Sequence, residues 1–216
     1  MLILLPPSER KELGTLKSGV ALETLSFSDY LTPTRKLVIA NQNPDLFGLP
    51  TSPAIEIYSG VLYKSLNYDA LSLAAKQQAN GRLLIFSALF GVLRPMDQIP
   101  KYSAKIRNSE WKKPLSAALD GLQNQLIIDC RSSTYAAGWK SNSADSVSVR
   151  VFEHQSGRRR VVTHMSKKYR GALARIVVEN EELHTPRELL SLASRHFEAE
   201  LHAPTLGRPW LLDLFV

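Results

Sequence analysis

The chain begins with a short apolar run, MLILL at residues 1–5, that is followed at once by Pro6 and Pro7. A run this short is typical of a buried strand, because it offers no polar face to solvent. Proline ends such a run, since it has no amide hydrogen to donate to a neighbouring strand. The sequence therefore predicts a buried first strand whose carboxyl end leads into PPSERK, residues 6–11, as a loop.

Strand-like and helix-like segments alternate along the rest of the chain. Further strands are predicted at residues 54–58, 82–86 and 125–129, and helices at residues 69–78, 110–122 and 186–197. Thr185 and Pro186 are typical of the first residues of a helix. Residues 146–164 have the two-residue period of a β-hairpin around the turn HQSGR, and the apolar tail WLLDLFV is expected to form a strand or to pack on the core. This alternation of strands and helices predicts an α/β fold.

The composition is that of a globular protein, and we expect one domain that spans residues 1–216. Hydrophobic residues make up 44% of the chain, and no segment approaches the roughly 18 apolar residues that a membrane helix requires. The first residues lack the basic segment and the cleavage site of a secretory leader. The single cysteine, Cys130, excludes an internal disulfide. These features predict a cytoplasmic protein.

Basic residues outnumber acidic ones, with 27 Lys and Arg against 20 Asp and Glu and a net charge of +7. This balance favours anionic partners such as nucleic acid, nucleotides or phosphorylated metabolites. It does not distinguish among these partners, so the positions of the cations matter more than their number.

The segment HMSKKYRGALARIVVEN, residues 164–180, predicts a helix with cations at its start. Its apolar face, by spacing, consists of Tyr169, Leu173, Ile176 and Val177. With Ser166 as the N-cap, Lys167, Lys168 and Arg170 fall in the first turn. The helix dipole disfavours a cation there by about 0.3 to 1 kcal/mol at an exposed site. A bound anion would reverse that sign, so this helix start is a candidate anion site.

Four segments combine small, polar and basic residues after predicted strands. They are PPSERK (6–11), FGVLRPMD (90–97), CRSSTY (130–135) and SKKYRG (166–171). Loops at the carboxyl ends of parallel strands converge on one edge of a sheet, where ligands bind, so these segments can meet if the strands are parallel. Each also has an interpretation without a ligand: solvated surface charges, an ion pair of Arg94 with Asp97, serines that only cap a helix, and a solvated helix face for Arg175.

Other chemistries find less support in the sequence. The standard nucleotide-binding loops are absent, and the histidines lack the spacing of a metal site, so neither a cofactor nor a metal is expected. The histidines are His154, His164, His184, His196 and His202. A hydrolase built on Ser132 would need His164 beside it as a base. Cys130 ends an apolar segment and is expected to be a buried core residue, not a peroxide sensor, which would need exposure and a lowered pKa.

The chain resembles the YaaA peroxide-stress protein family in four blocks that occur in the same order. The blocks are MLILLPPSE, YSGVLY, FGVLRPMD and KKYRGALARIVVEN, with a looser match at IIDCRSSTY. The resemblance implies a mixed α/β (α+β) fold with a central mixed sheet, flanking helices and a basic cleft. It also implies a cytoplasmic bacterial protein that binds DNA and limits free iron and oxidative DNA damage during peroxide stress.

The resemblance also implies the residues of the cleft. They are Ser8, Arg10, Lys11, Arg94, Asp97, Ser132, Ser133, Tyr135, Lys167, Lys168, Arg170 and Arg175. Well-known members carry a helix-hairpin-helix DNA-binding element between the first block and YSGVLY. In this chain that stretch, residues 12–57, shows no clear pair of helices around a glycine turn.

Two classes of function therefore remain open. In the first, the cleft binds DNA non-specifically through its phosphates. In the second, the same residues form the active site of an enzyme that acts on a nucleotide or a phosphorylated small molecule, with Ser8, Glu9, Ser133 and Tyr135 as the polar lining. No catalytic residue is assigned. A wide groove with a basic rim favours DNA, whereas an enclosed pocket in which Glu9 faces Arg170 favours a small ligand.

Overall fold

A computed structural model of the chain describes residues 1–155, 158–161, 165–205 and 208–216. The strands are β1 (Leu2–Leu5), β2 (Thr51–Pro53), β3 (Leu83–Ser87), β4 (Gly91–Leu93), β5 (Gln98–Pro100), β6 (Ile127–Asp129), β7 (Ser146–Gln155), β8 (Arg158–Val161), β9 (Glu198–His202) and β10 (Trp210–Phe215). The helices are α1 (Ser28–Gln42), α2 (Ala54–Ile57), α3 (Val61–Leu66), α4 (Leu73–Arg82), α5 (Asn108–Leu119), α6 (Ser133–Ala136), α7 (Ser166–Val178) and α8 (Pro186–Ala193). None of the helices in this described part of the chain is long and apolar enough to cross a membrane.

Eight of the strands form one mixed sheet, in the order β4-β3-β1-β6-β7-β10-β9, with β8 paired to β7. The central strands β3, β1, β6, β7 and β10 are parallel to one another. The outer strands β4 and β9 are antiparallel, and so is β8 against the second half of β7. The predicted mixed α/β fold is confirmed.

The first strand lies in the middle of this sheet. All four residues of β1 are buried, and they pair with β3 on one side and with β6 on the other. A strand covered on both faces and both edges has no place for a polar side chain, which explains its uninterrupted apolar sequence. Its position fixes where the chain emerges, because the carboxyl ends of β1, β3 and β6 all lie at one edge of the sheet.

Helix α7 packs closely on α3, as well as on α4 and β7. A side chain at Gly171 would overlap the carbonyl oxygen of Leu62 in α3, so only glycine permits this approach. The predicted apolar face of α7 is therefore partly wrong. Leu173 and Val177 are buried as predicted, but Tyr169 and Ile176 are only half-buried, because the small residues carry the closest helix contact.

Most of the predicted elements are present. Strands occur where residues 82–86, 125–129 and the apolar tail predict them, as β3, β6 and β10. Helix α5 matches the prediction at 110–122, and α8 begins at Pro186 with the Thr185 hydroxyl accepting the amide hydrogen of Glu188. The predicted hairpin is the antiparallel pair β7 and β8. Its turn at residues 156–157 and its end at 162–164 lie outside the described residues.

Three predictions about local structure are wrong. Instead of the strand predicted at residues 54–58, Ala54–Ile57 form the short helix α2, whose amides at Ala54 and Ile55 bond to the carbonyls of Asp97 and Pro95. The same apolar spacing fits one helical turn, so sequence alone could not exclude it. The helix predicted at 69–78 begins only at Leu73, capped by the Ser72 hydroxyl. Ser166 is the first helical residue of α7, and Met165 holds the N-cap position.

Helix α1 was not predicted, because Pro33 interrupts its sequence. A buried arginine holds it in place. The Arg35 guanidinium donates to the carbonyl oxygens of Phe90 (3.0 Å) and Val92 (2.9 Å) beside β4, and to that of Ser26 (2.8 Å). Burial lowers the pKa of Arg35 to about 10, so the guanidinium remains charged at neutral pH.

We expect Arg35→Met to lower the free energy of unfolding by about 3 kcal/mol, because it leaves three carbonyl groups without their donor. Urea denaturation followed by circular dichroism measures the change. Lys36→Met is the matched control. Lys36 is exposed, and its one ion pair within the described part of the chain is with exposed Glu23, so its loss should change stability by less than about 1 kcal/mol. Equal effects of the two substitutions would contradict the role of Arg35.

Candidate functional site

The carboxyl edge of the sheet holds a cavity of about 750 Å³, which we call the sheet-edge pocket. It is lined by Pro6, Pro7, Ser8, Glu9, Lys11, Leu62, Ala88, Lys101, Tyr102, Ser103, Ala104, Lys105, Ile106, Cys130, Ser132, Thr134, Tyr135, Ser166, Lys167 and Arg170. The lining begins where β1, β3 and β6 end, as expected for loops at the carboxyl ends of parallel strands. Three of the four segments singled out in the sequence meet here: residues 6–11, 130–135 and 166–171.

The loop after β1 is held in place by the segment YSG that precedes α3. The amide of Glu12 bonds to the carbonyl of Ile57 at 2.8 Å, and the amide of Ser59 bonds to the carbonyl of Arg10 at 3.2 Å. A side chain at Gly60 would overlap the Ser8 hydroxyl. These contacts give the loop a fixed path along the edge of the pocket, since the Tyr63 hydroxyl also donates to the carbonyl of Pro6 at 2.7 Å.

Lys11 projects from this loop over two aromatic rings. Its Nζ lies 4.4 Å from the ring centre of Tyr102 and 5.8 Å from that of Tyr58. Burial lowers the pKa of the Lys11 ammonium to about 8; the charge of Glu9 opposes this shift and that of Lys101 adds to it. A half-buried lysine whose pKa lies this low can exchange its proton near neutral pH.

The tyrosines below Lys11 belong to a buried chain of hydroxyl groups. The hydroxyls of Tyr58 and Tyr102 are 2.7 Å apart, and that of Tyr102 is 2.7 Å from the Ser87 hydroxyl. Ser87 in turn accepts the amide hydrogens of Leu89 and Phe90. Burial raises the pKa of both tyrosines, so they remain protonated and bring no negative charge to Lys11.

The segment after β6 contributes Cys130, Ser132 and Tyr135 to the lining. Its path is set by Arg131, whose guanidinium bonds to Asp129 (2.7 Å) and to the carbonyl of Trp139 (2.9 Å). Burial, together with the negative charge of Glu9, raises the pKa of the Tyr135 hydroxyl to about 12. At neutral pH this hydroxyl is therefore a neutral hydrogen-bonding group facing the pocket.

The start of α7 supplies Lys167 and Arg170. Arg170 donates to the carbonyl oxygens of Arg131 (3.1 Å) and Val149 (3.0 Å), where the chain leaves β6 and passes along β7. These carbonyl dipoles explain how one cation is tolerated at the start of a helix. Its Nε is buried and has no acceptor among the described residues. Lys167 is exposed at the edge of the pocket.

The segment after β5 also lines the pocket, although the sequence analysis did not identify it. It contributes Lys101, Tyr102 and Lys105, and both of these lysines are exposed. The sequence feature that could have identified this segment is the interleaving of basic and aromatic residues in PKYSAK, which is typical of surfaces that bind nucleic acid or phosphate. Its place beside residues 6–11 could not be predicted, because no local pattern relates a loop after β5 to the end of β1.

Three of the expected cleft residues lie beside the sheet-edge pocket and not in its lining. Arg10 is exposed, forms a loose ion pair with Glu12 at 3.5 Å, and lines a smaller neighbouring cavity of about 160 Å³. Ser133 is the exposed first residue of α6. Lys168 is exposed, with its Nζ 5.7 Å from the ring centre of Tyr169.

Arg94, Asp97 and Arg175 lie elsewhere and hold the structure together. Strand β4 runs antiparallel to β3, so Arg94 lies at the opposite edge of the sheet, where it donates to the carbonyl of Gly81 at 2.7 Å. Asp97 accepts hydrogen bonds from the amide of Arg94 and from the amide and hydroxyl of Ser26. Arg175 binds the carbonyls at the end of α3 and pairs with Glu179.

The sequence also raised the questions of a helix-hairpin-helix element, a serine hydrolase site and a metal site. Across residues 12–57, all of which the structure describes, α1 is the one α-helix longer than a single turn. The other helical segments there are short 3₁₀ helices at Leu22–Thr24 and Pro44–Gly48 and the one-turn α2, so a helix-hairpin-helix pair is not formed. His164, the base that a Ser132 hydrolase would need, lies outside the described residues. Within the described ranges, no three His, Cys, Asp or Glu side chains come together to hold a metal ion.

The pocket can therefore bind an anionic ligand with polar and aromatic parts. Its described lining contains five basic side chains, and Glu9 is the one acidic residue among them. Its volume falls within the range of about 300 to 1,000 Å³ that is usual for small-molecule sites.

Comparison with known proteins finds one family model and several relatives that match most of the chain. A family model described as peroxide stress protein YaaA matches residues 11–202. A UPF0246 protein of Streptomyces coelicolor is 32% identical, over 100% of this chain and 98% of the relative. A UPF0246 protein of Corynebacterium glutamicum is 36% identical, over 89% and 91%. A Campylobacter jejuni protein is 29% identical, over 99% of each chain.

The position of Cys130 generates a test of the peroxide-sensor alternative. The residue is fully buried, and burial raises the pKa of its thiol to about 12. We expect no reaction with a thiol reagent in the folded protein at neutral pH and rapid reaction in urea, because the thiolate is the reactive form. Cys130→Ala should lower stability by roughly 1 kcal/mol and leave peroxide protection in cells intact. Rapid labelling of the folded protein would instead support a redox role.

Proposed function

This chain belongs to the peroxide stress protein YaaA family, and from that membership we propose that it acts in the peroxide stress response as a DNA-binding protein. The proposed binding site is the sheet-edge pocket, which engages the phosphate backbone. By this binding the protein limits free iron near DNA and oxidative DNA damage.

The observation that carries the proposal is the convergence of cations from separate parts of the chain. The five basic side chains of the pocket come from the loop after β1, the segment after β5 and the start of α7. Each of these cations repels the others, so their assembly is unfavourable unless an anion reduces the repulsion. A phosphodiester supplies that anion and accepts charge-assisted hydrogen bonds from lysine and arginine.

Arg170 supports the proposal in a second way. Its two terminal nitrogens are engaged by carbonyl oxygens, and its buried Nε is left without an acceptor among the described residues. A buried N–H that lacks an acceptor is unfavourable by about 1 to 3 kcal/mol. A phosphate oxygen in the pocket is one group that could satisfy it.

Phosphate contacts alone give binding without sequence preference, because the backbone is the same for every base pair. The described residues contain no recognised base-reading module at residues 12–57, which fits that kind of binding. Cations that neutralise phosphates also release the metal ions condensed around DNA. This physical effect would reduce the iron held beside the bases, where peroxide produces damaging oxidants.

A second candidate function is that of an enzyme acting on a nucleotide or a phosphorylated small molecule in the same pocket. The observation that favours it is the combination of a cavity of about 750 Å³ with Lys11, a half-buried lysine of lowered pKa. Residues with perturbed pKa values in clefts are frequent at active sites. Glu9 and Tyr135 would be its polar partners.

We expect binding to a short DNA duplex to depend steeply on salt and weakly on base sequence. The affinity should fall at least about tenfold between low and physiological salt, because each neutralised phosphate releases a counterion. Fluorescence anisotropy with two duplexes of unrelated sequence measures both properties. Binding that ignores salt, or that strongly prefers one duplex, is the contrary result.

A charge-removal variant locates the binding surface. Changing Lys101, Lys105 and Lys167 together to Gln removes three exposed pocket cations, and we expect affinity for the duplex to fall by roughly tenfold or more and the salt dependence to become shallower. Arg170 is left unchanged because its substitution would also free carbonyl groups in the core.

The matched control changes Lys36, Lys112 and Lys113 to Gln. This variant has the same net charge, but its lysines lie on α1 and α5 and do not line the sheet-edge pocket. We expect it to bind DNA nearly as the unmodified protein does. If both variants lose affinity equally, DNA responds only to the total charge of the protein and the pocket is not the site.

Thermal unfolding separates the two candidate functions. A ligand that binds only the folded state raises the melting temperature with its concentration. If DNA is the ligand, a short duplex should raise the midpoint more than inorganic phosphate or a mononucleotide, and the Lys101, Lys105 and Lys167 variant should lose this rise. A rise with a mononucleotide and none with DNA would favour the enzyme.

A further inference from the structure

Lys11 is positioned for more than a contact with phosphate. Its amine lies against the faces of Tyr102 and Tyr58, and the charged groups around it are Glu9 on its own loop and Lys101 after β5. The described surroundings therefore combine two neutral phenol rings, one carboxylate and one further cation. No close ion pair of Lys11 is present among the described residues to keep its amine protonated.

The amine is also unusually easy to deprotonate. With a pKa of about 8, about one tenth of Lys11 side chains are neutral at pH 7, against about one in three thousand for a lysine of ordinary pKa. A neutral amine has a free electron pair and can attack a carbonyl carbon. The other lysines of the pocket, Lys101, Lys105 and Lys167, are exposed and add positive charge to the same cavity.

We propose that Lys11 is a nucleophile that forms an imine with the aldehyde of a phosphorylated sugar held in the sheet-edge pocket. The inference deepens the proposed function, because it rests on the same pocket binding the phosphate. The pocket volume of about 750 Å³ accepts a sugar with its phosphate. Lys101, Lys105 and Lys167 bind the phosphate, which brings the aldehyde carbon to Nζ of Lys11.

The reaction is balanced as a condensation. The electron pair of the Lys11 amine forms a bond to the aldehyde carbon, and the carbonyl oxygen takes up the proton that the nitrogen loses. The carbon–oxygen bond then breaks, the hydroxyl leaves as water with a second proton from the nitrogen, and a carbon–nitrogen double bond remains. Glu9 lines the same pocket, its charge acts on Lys11, and its carboxylate is the group that we assign to relay these protons.

Two kinds of ligand offer an aldehyde next to a phosphate. A DNA strand that has lost a base exposes an aldehyde between two phosphates, and a free sugar phosphate carries an aldehyde and one phosphate. In the first case Lys11 captures damaged DNA, and in the second it acts on a small metabolite. Both require the same amine and the same cations, so the experiment must present them separately.

The test uses the full chain and borohydride, which reduces an imine to a stable amine. The protein is mixed with a duplex that contains one abasic site, with the same duplex after prior reduction of its aldehyde, or with deoxyribose 5-phosphate. Covalent adducts are measured by mass spectrometry, and the modified lysine is identified by peptide mapping. We expect adducts at Lys11 with at least one aldehyde ligand and none with the reduced duplex.

Lys11→Arg keeps the positive charge but has no nucleophilic amine, and it should lower the adduct yield by at least about tenfold. Lys36→Arg and Lys112→Arg, at exposed lysines that do not line the pocket, are matched controls and should retain the yield. The yield with the unmodified protein should rise with pH and level off above about 8, as the Lys11 amine loses its proton.

The outcomes distinguish this inference from the proposed function. Adducts spread over several lysines, or an unchanged yield in Lys11→Arg, would overturn the inference, and mapping of the unmodified protein decides this even if the variant does not fold. If anisotropy shows binding to intact duplex but no adduct forms, DNA binding stands and the imine does not. If only deoxyribose 5-phosphate is captured and duplex does not bind, Lys11 is reactive and the proposed DNA binding fails.

Discussion

The parallel pairing of β1 with β3 on one side and β6 on the other is the constraint on which the rest of the structure depends. Backbone hydrogen bonds and complete burial fix β1 in the centre of the sheet, and parallel neighbours must end at the same edge. The loops that follow these strands therefore meet without any direct sequence signal for their contact. The sheet-edge pocket is a consequence of this pairing, and the other helices and loops determine which side chains enter it.

Two glycines convert this arrangement into a specific site. Gly171 allows α7 to lie against the backbone of α3, and Gly60 allows Ser8 to approach the segment before α3. The first contact brings Lys167 and Arg170 to the edge of the sheet, and the second fixes the loop that carries Lys11. The site therefore depends on close packing as much as on charge, because a side chain at Gly171 would overlap the backbone of α3 and one at Gly60 would displace the Ser8 side chain.

The cations at the start of α7, which the helix dipole disfavours, have different structural explanations. Arg170 is stabilised by the carbonyl dipoles of Arg131, just after β6, and of Val149 in β7, whereas Lys167 is an exposed part of the pocket lining and Lys168 lies outside it. The sequence could identify these cations as unusual, because the preference of a helix start for negative charge depends only on nearby residues. It could not assign separate roles, since the partners of Arg170 lie far away in the sequence. Arg94 shows the same limit: an antiparallel strand carries it to the opposite edge, and no pattern in FGVLRPMD reveals that direction.

By itself the sequence determined the elements whose signals are local and repeated. These include the apolar central strand, the helix start at Thr185 and Pro186, the period of β7, and the ordered blocks that indicate the family. Local patterns could not separate the short helix α2 from a strand or reveal α1 across Pro33, because burial and tertiary hydrogen bonds decide such ambiguous segments. Only the tertiary structure joined residues 101–105 to the loop after β1 and placed the half-buried Lys11 over Tyr102. Solvation and distance between remote residues set the pKa of that amine, and neither quantity is a property of the sequence around it.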